Sequence, residues 1–314
     1  MNILVTGGCG YIGTVLTPKL LDQGHNVTVY DIMWFGNFLK EHKNLKIFQG
    51  DIRNSDAIPM KGIDAIIHLA NIANDPCGDL NAKLSWEVNV LATMGLVEKA
   101  ITHQVKQFIL SSSGSVYGVK EEPKVTEDLP LVPISDYNKT KMVSERVLLS
   151  YKDKIVIQIV RPATVCGYSP RMRLDLSVNM LTVQALANGR ITVFGGDQTR
   201  PNIHIQDITD VFIHLLNLGE KASGIYNAGF ENISILDIAK MAAKFMPAEI
   251  IVSESNDPRC YRLNADKLLS TGFKPRFKVV DAIREIIEAY NSGRIKDADG
   301  CYNIKTMKQI ECLG

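Results

Sequence analysis

Short apolar runs alternate with longer amphipathic stretches over the first half of the chain. Runs rich in Val, Ile and Leu predict six strands, at residues 2–6, 26–30, 45–49, 65–71, 107–110 and 155–160. Helical periodicity follows the glycines near residue 10, extends from about Leu80 to His103, and resumes from Tyr137 to about Tyr151. This alternation predicts the α/β class, with a doubly wound parallel sheet.

The first predicted strand leads directly into a glycine-rich turn. Gly8, Gly10 and Gly13 have the spacing G-x-G-x-x-G, and an amphipathic segment follows to Gly24. In a dinucleotide-binding fold such glycines let the backbone approach a pyrophosphate, which the N-terminus of the next helix stabilises. Asp31 ends the second strand roughly 20 residues later, where the ribose-binding acid is expected. Each feature also occurs in ordinary turns, but their combination predicts NAD binding.

Polar side chains follow a later strand at the same expected edge of the sheet. Ser111, Ser112 and Ser113 come directly after the run 107–110, where open α/β sheets bind ligands. Tyr137 and Lys141 are four residues apart in a predicted helix, so their side chains project from one face. The pattern indicates a site that combines hydroxyl groups with one amine.

Composition narrows the class of protein. At 314 residues the chain is long enough to divide into two lobes. Lys plus Arg total 35 against 34 for Asp plus Glu, and a net charge of +1 gives no indication of a nucleic-acid or membrane-binding surface. No apolar run reaches the roughly 18 residues of a membrane helix, and the N-terminus begins with a strand, so we expect a cytoplasmic protein. Six cysteines without a C-x-x-C pair indicate neither a metal site nor a disulfide framework.

Taken together, the motifs resemble the extended short-chain dehydrogenase/reductases that act on nucleotide-activated sugars. The matching pieces, in the family's order and spacing, are the glycine turn, Asp31, Asp51-Ile52, His68-Leu69-Ala70, Asn89, Ser111-Ser112-Ser113, Val116-Tyr117-Gly118, Tyr137-x-x-x-Lys141 and Arg161-Pro162. The resemblance covers about residues 1 to 290. It implies a Rossmann domain at 1–165, to which 201–224 return. A smaller interleaved α/β lobe at 166–200 and 225–314 would bind the nucleotide sugar and include the C-terminal tail.

The resemblance also implies roles for individual residues. Tyr137 is the expected acid/base, Lys141 lowers its pKa and holds the nicotinamide ribose, and Ser113 hydrogen-bonds the reacting oxygen. The expected contacts with NAD are Gly7, Gly10, Tyr11, Ile12, Gly13, Asp31, Asp51, Ile52, Leu69, Ala70, Asn71, Asn89, Ser111, Tyr137, Lys141 and Pro162. The expected contacts with the nucleotide sugar are Ser113, Thr164, Asn179, Val193, Arg200 and Arg259. No metal is implied.

The activity that this resemblance favours is NAD-dependent C4 epimerisation of a nucleotide sugar through a transient 4-keto sugar. Dehydration is disfavoured, because Gly114 and Ser115 stand where the related dehydratases carry an acidic pair. A C4 dehydrogenase or a keto-sugar reductase stays open, because the basic segment 169–173 departs from the common epimerase pattern. That segment resembles a branch with nucleotide-sugar and nucleotide-heptose dehydrogenases. The remaining alternative is a non-catalytic NAD-binding regulator, although such proteins typically lose the tyrosine or the lysine.

A homodimer is also expected, as in similar proteins, through the helix around 81–103 and the helix that begins at Tyr137. These two helices carry more apolar surface than packing against the sheet requires. The apolar residues concerned are Leu91, Met94, Leu96, Val143, Val147 and Leu148. A polar tail with Lys305 and Lys308 follows the last strongly predicted helix, 279–290, and the sequence assigns it no role.

Overall fold

A computed structural model of the protein describes residues 1–254 and 260–311. The strands are β1 (Asn2–Thr6), β2 (Asn26–Asp31), β3 (Leu45–Gln49), β4 (Ala65–His68), β5 (Gln107–Ser111), β6 (Val156–Pro162), β7 (Thr164–Cys166), β8 (Arg190–Phe194), β9 (Thr199–His204), β10 (Gly224–Ala228), β11 (Glu231–Ser234) and β12 (Glu249–Ser253). The α-helices are α1 (Gly13–Asp22), α2 (Asp75–Leu80), α3 (Ala82–Trp86), α4 (Ala92–Thr102), α5 (Asp136–Leu149), α6 (Ser177–Asn188), α7 (Ile205–Leu218), α8 (Ile235–Ala243), α9 (Asp266–Ser270), α10 (Val279–Asn291) and α11 (Asn303–Glu311).

Seven parallel strands form the main sheet, in the order β10-β6-β5-β4-β1-β2-β3. The chain builds outward from β1 to β3 on one side and from β4 to β10 on the other, so the strand order reverses between β1 and β4. This reversal opens a crevice at the carboxyl ends of the strands, where such sheets bind ligands. The predicted doubly wound parallel sheet is confirmed.

Helices cover both faces of this sheet, because successive side chains of a strand point to opposite faces. Ile3 and Val5 of β1 belong to one hydrophobic core, which also contains apolar residues of α1 and α7. Leu4 belongs to a second core, shared with α4 and α5. Lys19 of α1 forms an ion pair with Asp210 of α7 at 2.7 Å, which ties the two helices of the first face together.

Two smaller sheets are formed by β7, β8, β9, β11 and β12, and one of them packs at a third hydrophobic core. β8 pairs with β12 in parallel, and apolar residues of α6, α8 and α10 pack with these two strands. β9 lies between β7 and β11 in a separate three-stranded sheet. β10 pairs with β6, so the main sheet continues to Ala228, four residues beyond the predicted return segment 201–224. β10 was not predicted from the sequence. Its five residues include Gly224 and Asn227, and glycine and asparagine are both depleted in strands.

The predicted helix from Leu80 to His103 is divided into shorter pieces. A π-helical turn at Glu87–Leu91 separates α3 from α4, and Asn81 caps α3 by accepting a hydrogen bond from the backbone N–H of Leu84 at 2.9 Å. Across the ranges 1–254 and 260–311, no helix is long and apolar enough to cross a membrane.

Candidate active site

A cavity of about 620 Å³ lies at the carboxyl ends of the main-sheet strands, and its volume is typical of a small-molecule site. We call its lining residues up to Pro162 the strand wall, because most of them lie at or after the ends of strands of the main sheet. We call the lining residues from Ala163 onward the loop wall. Most of the predicted site residues belong to these walls, namely Gly7, Gly10, Tyr11, Ile12, Gly13, Asp31, Asp51, Ile52, Leu69, Ala70, Asn71, Ser111, Ser113, Tyr137, Lys141, Pro162, Thr164 and Arg200.

The glycine turn after β1 forms a part of the strand wall that has no side chains. Gly7 has φ +71°, and a Cβ there would lie 2.5 Å from the backbone nitrogen of Ala70. A Cβ on Gly13 would lie 2.5 Å from the Cα of Gly8, so the turn packs against the first residue of α1 only because position 13 is glycine. The result is exposed backbone at a helix N-terminus, which fits the diphosphate of a dinucleotide.

Asp31 ends β2 at the edge of the same cavity. Its carboxylate oxygens accept hydrogen bonds from the backbone N–H groups of Cys9, at 2.9 Å, and Met33, at 2.7 Å. Burial raises the pKa of Asp31, whereas these two hydrogen bonds oppose the rise. The carboxylate is therefore fixed in orientation and keeps lone pairs that face the cavity, as a ribose-binding acid requires.

Tyr137 and Lys141 project from the first turns of α5. Ser135 caps this helix by accepting a hydrogen bond from the backbone N–H of Asn138 at 3.2 Å. Burial raises the pKa of Tyr137 to about 12, although a hydrogen bond with Ser113 acts against this rise. Burial lowers the pKa of Lys141 to about 7. Its Nζ donates a hydrogen bond to the carbonyl oxygen of Ser111 at 2.8 Å.

A buried ion pair supports this group from behind. Arg161 of β6 contacts Glu145 of α5 at 2.6 Å, and both side chains are at most 2% exposed. Glu145 also accepts a hydrogen bond from Ser112, and Arg161 donates one to the hydroxyl of Tyr117 at 2.6 Å. The pair therefore joins the ends of β5 and β6 to the helix that carries Tyr137.

Asn89, predicted to contact NAD, lies behind the cavity wall. Its Oδ1 accepts a hydrogen bond from the backbone N–H of Ile72 at 2.8 Å. Its Nδ2 donates to the hydroxyl of Thr140 at 2.9 Å and to the carbonyl of Ile72. The protein itself satisfies this amide, so Asn89 fixes the loop after β4 to α5 and does not line the cavity.

Two predicted sugar contacts are also directed into the protein interior. Asn179 accepts a hydrogen bond from the backbone N–H of Gly167 at 3.0 Å and donates one to the hydroxyl of Tyr11 at 3.0 Å. Val193 is fully buried in the third hydrophobic core, because strand alternation turns its neighbours Thr192 and Phe194 toward the cavity instead. Arg259 lies outside the described residues.

Several cavity residues carried no clear signal in the sequence. Arg173 and Asp175 form an ion pair with two N–O contacts of 2.9 and 3.0 Å. Asn74, which has φ +75°, donates to Asp175 at 2.9 Å, and the backbone N–H of Asn303 also donates to Asp175. The basic segment 169–173 could have indicated that Arg173 belongs to the site. No local sequence pattern connects residues 74, 175 and 303. The tail that had no assigned role therefore forms part of the cavity.

Within residues 1–254 and 260–311, no cluster of side chains is suited to hold a metal ion.

A parallel sheet with a reversed strand order, a bare glycine turn and a Tyr/Lys pair on one helix face define a dinucleotide-binding Rossmann enzyme. Residues 3–229 match the NAD dependent epimerase/dehydratase family, and the chain belongs to that family. The predictions of an enzyme and of NAD as its cofactor are confirmed by this membership.

Individual relatives are similar over nearly the whole chain. UDP-glucose 4-epimerase of Lactobacillus helveticus is 28% identical over 313 aligned residues, which cover 90% of this chain and 94% of that protein. A dTDP-glucose 4,6-dehydratase of Streptomyces niveus is 26% identical and covers 94% of each chain. The solved structure of UDP-glucuronic acid 4-epimerase from Bacillus cereus, in complex with UDP-glucuronic acid and NAD, has a TM-score of 0.82 at 28% identity. That comparison covers 93% of this chain and 99% of the other.

Proposed function

We propose that this protein interconverts the C4 epimers of a nucleotide-activated sugar through a transient 4-keto sugar. The observation that carries the proposal is the presence of Tyr137, Lys141 and Ser113 in one cavity with the bare glycine turn and Asp31. Two similar proteins are named as 4-epimerases of UDP sugars, which supports this activity over others in the family.

The strand wall offers the groups that would hold the cofactor. The backbone at Gly7, Gly10 and Gly13 would face the diphosphate, and the Asp31 carboxylate would accept hydrogen bonds from the adenosine ribose hydroxyls. A carboxylate at this position repels a 2′-phosphate, which favours NAD over NADP. When bound, NAD supplies the acceptor for the hydride and a positively charged ring beside the reacting carbon.

Tyr137 would remove and return the proton of the sugar hydroxyl at its phenolic oxygen. With a pKa of about 12, the phenol is a weak base at neutral pH, so proton removal requires positive charge beside that oxygen. Lys141 is the cation on the same helix face, and its ammonium form is the one that stabilises a phenolate. Ser113 would hydrogen-bond the oxygen that loses its proton.

The residues after Ser113 favour epimerisation over dehydration. Ser115 stands in the stretch where the related dehydratases carry acids, and its hydroxyl hydrogen-bonds Asn138 and Ser113, the latter at 2.7 Å. A neutral hydroxyl does not supply the acid needed to expel water from the sugar. This part of the cavity therefore supports only the oxidation and reduction of a carbon.

We propose that the loop wall binds the nucleotide sugar. Arg200 and Thr164 line it, and Phe194, 58% exposed, presents an aromatic ring at the same wall. A guanidinium suits phosphate oxygens and a flat ring suits a base. We further propose the interleaved domain division that this implies, with residues 1–165 and a segment from about 201 to 228 forming the cofactor domain.

We also propose a homodimer formed by the helical run 82–102 and α5. Trp86, Leu91 and Met94 are 37%, 56% and 38% exposed, which leaves apolar surface on that run. Leu96 and Leu148, which the sequence placed at the interface, are fully buried in the protomer's own core and cannot reach a partner. Sedimentation at micromolar concentration tests this proposal, and a monomer there would contradict it.

Incubation of the purified protein with UDP-glucose, UDP-glucuronic acid or dTDP-glucose tests the reaction. We expect one of them to yield its C4 epimer, identified by NMR, without accumulation of reduced cofactor. Accumulation of reduced cofactor in proportion to substrate would instead identify a dehydrogenase, and loss of water a dehydratase. No change in any sugar while NAD is bound would favour a regulator.

A further inference from the structure

Three arginines beside the cavity are largely buried, but they differ in their partners. Arg161 is paired with Glu145, and Arg173 is paired with Asp175. Arg171 is 3% exposed, and among the described residues it forms no ion pair with a carboxylate. A buried cation without a counter-ion is costly, which distinguishes Arg171 from the other two.

The contacts of Arg171 hold its guanidinium in place without neutralising it. The group stacks over the ring of Phe35, 3.9 Å from the ring centroid, and its Nη2 donates a hydrogen bond to Oδ1 of Asn303 in α11. Its Nε is buried and has no hydrogen-bond partner within the described residues. Arg171, Phe35 and Asn303 all line the cavity, so the guanidinium lies at the cavity wall.

Asp175 and Asp31 act on Arg171 electrostatically, but within the described residues neither of them forms an ion pair with it. Asp31 accepts hydrogen bonds from two backbone N–H groups, and Asp175 is paired with Arg173. Burial and the neighbouring Arg173 lower the pKa of Arg171 to about 10, while Asp175, Cys301 and Asp31 act in the opposite sense. Arg171 therefore remains a cation at neutral pH, and none of the described carboxylates forms an ion pair with it.

We propose that Arg171 binds a diphosphate in the cavity, and that this is the diphosphate of NAD. Phe35 lies in the loop directly after Asp31, the acid assigned to the adenosine ribose, which places Arg171 on the cofactor side. Asn303 orients the guanidinium, so the C-terminal helix contributes to cofactor binding. The inference rests on the proposed NAD site and adds to it a cation from the loop wall.

The test compares Arg171→Met with a matched control, Arg294→Met. Arg294 also stacks over an aromatic ring, that of Tyr168, but it is paired with Glu288 and lies outside the cavity. Calorimetric titration of NAD-free protein with NAD should show affinity about 10- to 100-fold weaker for Arg171→Met, the range expected when a charge-assisted hydrogen bond is lost. Arg294→Met should match the wild type. Arg171→Lys should fall between, because it keeps the charge but loses the planar fork.

A second measurement separates binding from a structural role. Without NAD, Arg171→Met should melt at the wild-type temperature or above it, because the variant removes an unpaired buried charge. The rise in melting temperature on saturation with NAD should be smaller than in the wild type. A clear loss of stability without NAD, together with unchanged NAD affinity, would assign Arg171 to the fold and overturn the proposal.

Titration with UDP distinguishes the two possible sources of the diphosphate. If Arg171→Met weakens UDP binding but not NAD binding, the cation serves the substrate and our assignment to the cofactor is wrong. If the wild type binds NAD and the variant binds it equally, only this inference fails. If the wild type itself binds no NAD, the proposed function fails as well.

Discussion

The strand wall and the loop wall meet at one cavity but are built in different ways. In the strand wall, backbone groups form much of the site. Gly7 and Gly13 leave peptide groups uncovered, and the carbonyl oxygen of Ser111 accepts a hydrogen bond from Lys141. In the loop wall, largely buried charged side chains hold one another, as Asp175 does with Arg173, and Asp175 also accepts a hydrogen bond from Asn74 of the strand wall.

This difference in construction predicts that substitutions in the two walls have different effects on the reaction and on stability. Groups on the strand wall are positioned by strands that are buried on both faces, so a side chain there can change without disturbing its support. The loop wall depends on paired charges that are largely removed from water, and loss of one partner leaves the other unpaired. Substitutions in the strand wall should therefore affect the reaction, and those that break a charge pair in the loop wall should affect folding as well.

The largest effect is expected from Tyr137→Phe. The ring and its packing remain, whereas the group that transfers the proton is lost, so turnover should fall by about 10²–10⁴-fold. NAD affinity and the melting temperature should stay close to those of the wild type. Tyr151→Phe, which removes a surface hydroxyl bonded to Glu98, is the matched control and should be fully active. Full turnover of Tyr137→Phe on a confirmed substrate would refute the assigned mechanism.

Asp175→Asn tests the loop wall. Arg173 would keep its charge without a counter-ion, and we expect the free energy of unfolding to fall by about 3 kcal/mol. Urea unfolding of the NAD-free protein measures this change. Asp237→Asn removes an exposed partner of Lys240 and should leave stability close to that of the wild type. Equal stability of both variants would remove the distinction between the walls.

Asp31→Ala tests cofactor choice in the strand wall. Loss of the carboxylate removes the hydrogen bonds to ribose, so NAD should bind about 10- to 100-fold more weakly. Discrimination against NADP should relax, because the charge that repels its 2′-phosphate is gone. Asp56→Ala, at a fully exposed carboxylate, is the control in the same titrations. Unchanged binding of both cofactors would exclude Asp31 from the ribose site.

The smallest effect concerns the pH dependence of Lys141. Burial lowers its pKa from 10.5 to about 7, so between these values the unfolded chain binds a proton that the folded chain lacks. The contribution of Lys141 to stability therefore rises as the pH increases through this window and falls as the pH decreases. Relative to Lys141→Met, the wild type should lose about 1–2 kcal/mol between pH 9 and pH 7. Unfolding in urea at both pH values measures this difference.

Lys139→Met is the control for that measurement, because Lys139 lies on the same helix but is exposed. Its stability difference from the wild type should not change with pH. A pH-independent difference for Lys141→Met would show that Lys141 is not held in a desolvated site.

The sequence by itself determined six of the seven strands of the main sheet and most of the strand wall. The glycine spacing, Asp31 at a strand end and the pair Tyr137 and Lys141 on one helix face are each local patterns, and their conformations follow from neighbouring residues. For Asn89, sequence reasoning shows only that a buried amide requires hydrogen-bond partners. That its partners are Ile72 and Thr140, and not a ligand, is settled by the packing of two other elements.

Only the tertiary structure decided the loop wall. Its residue Asp175 binds Asn74 of the strand wall and Asn303 of the C-terminal helix, and each of these partners is more than 100 residues away in sequence. No periodicity or motif encodes such a meeting, since hydrogen bonds and ion pairs between distant side chains depend on where whole elements pack. The same reason explains why the sequence marked Arg171 only as part of a basic segment, although folding buries it without an ion-pair partner in the described part of the chain.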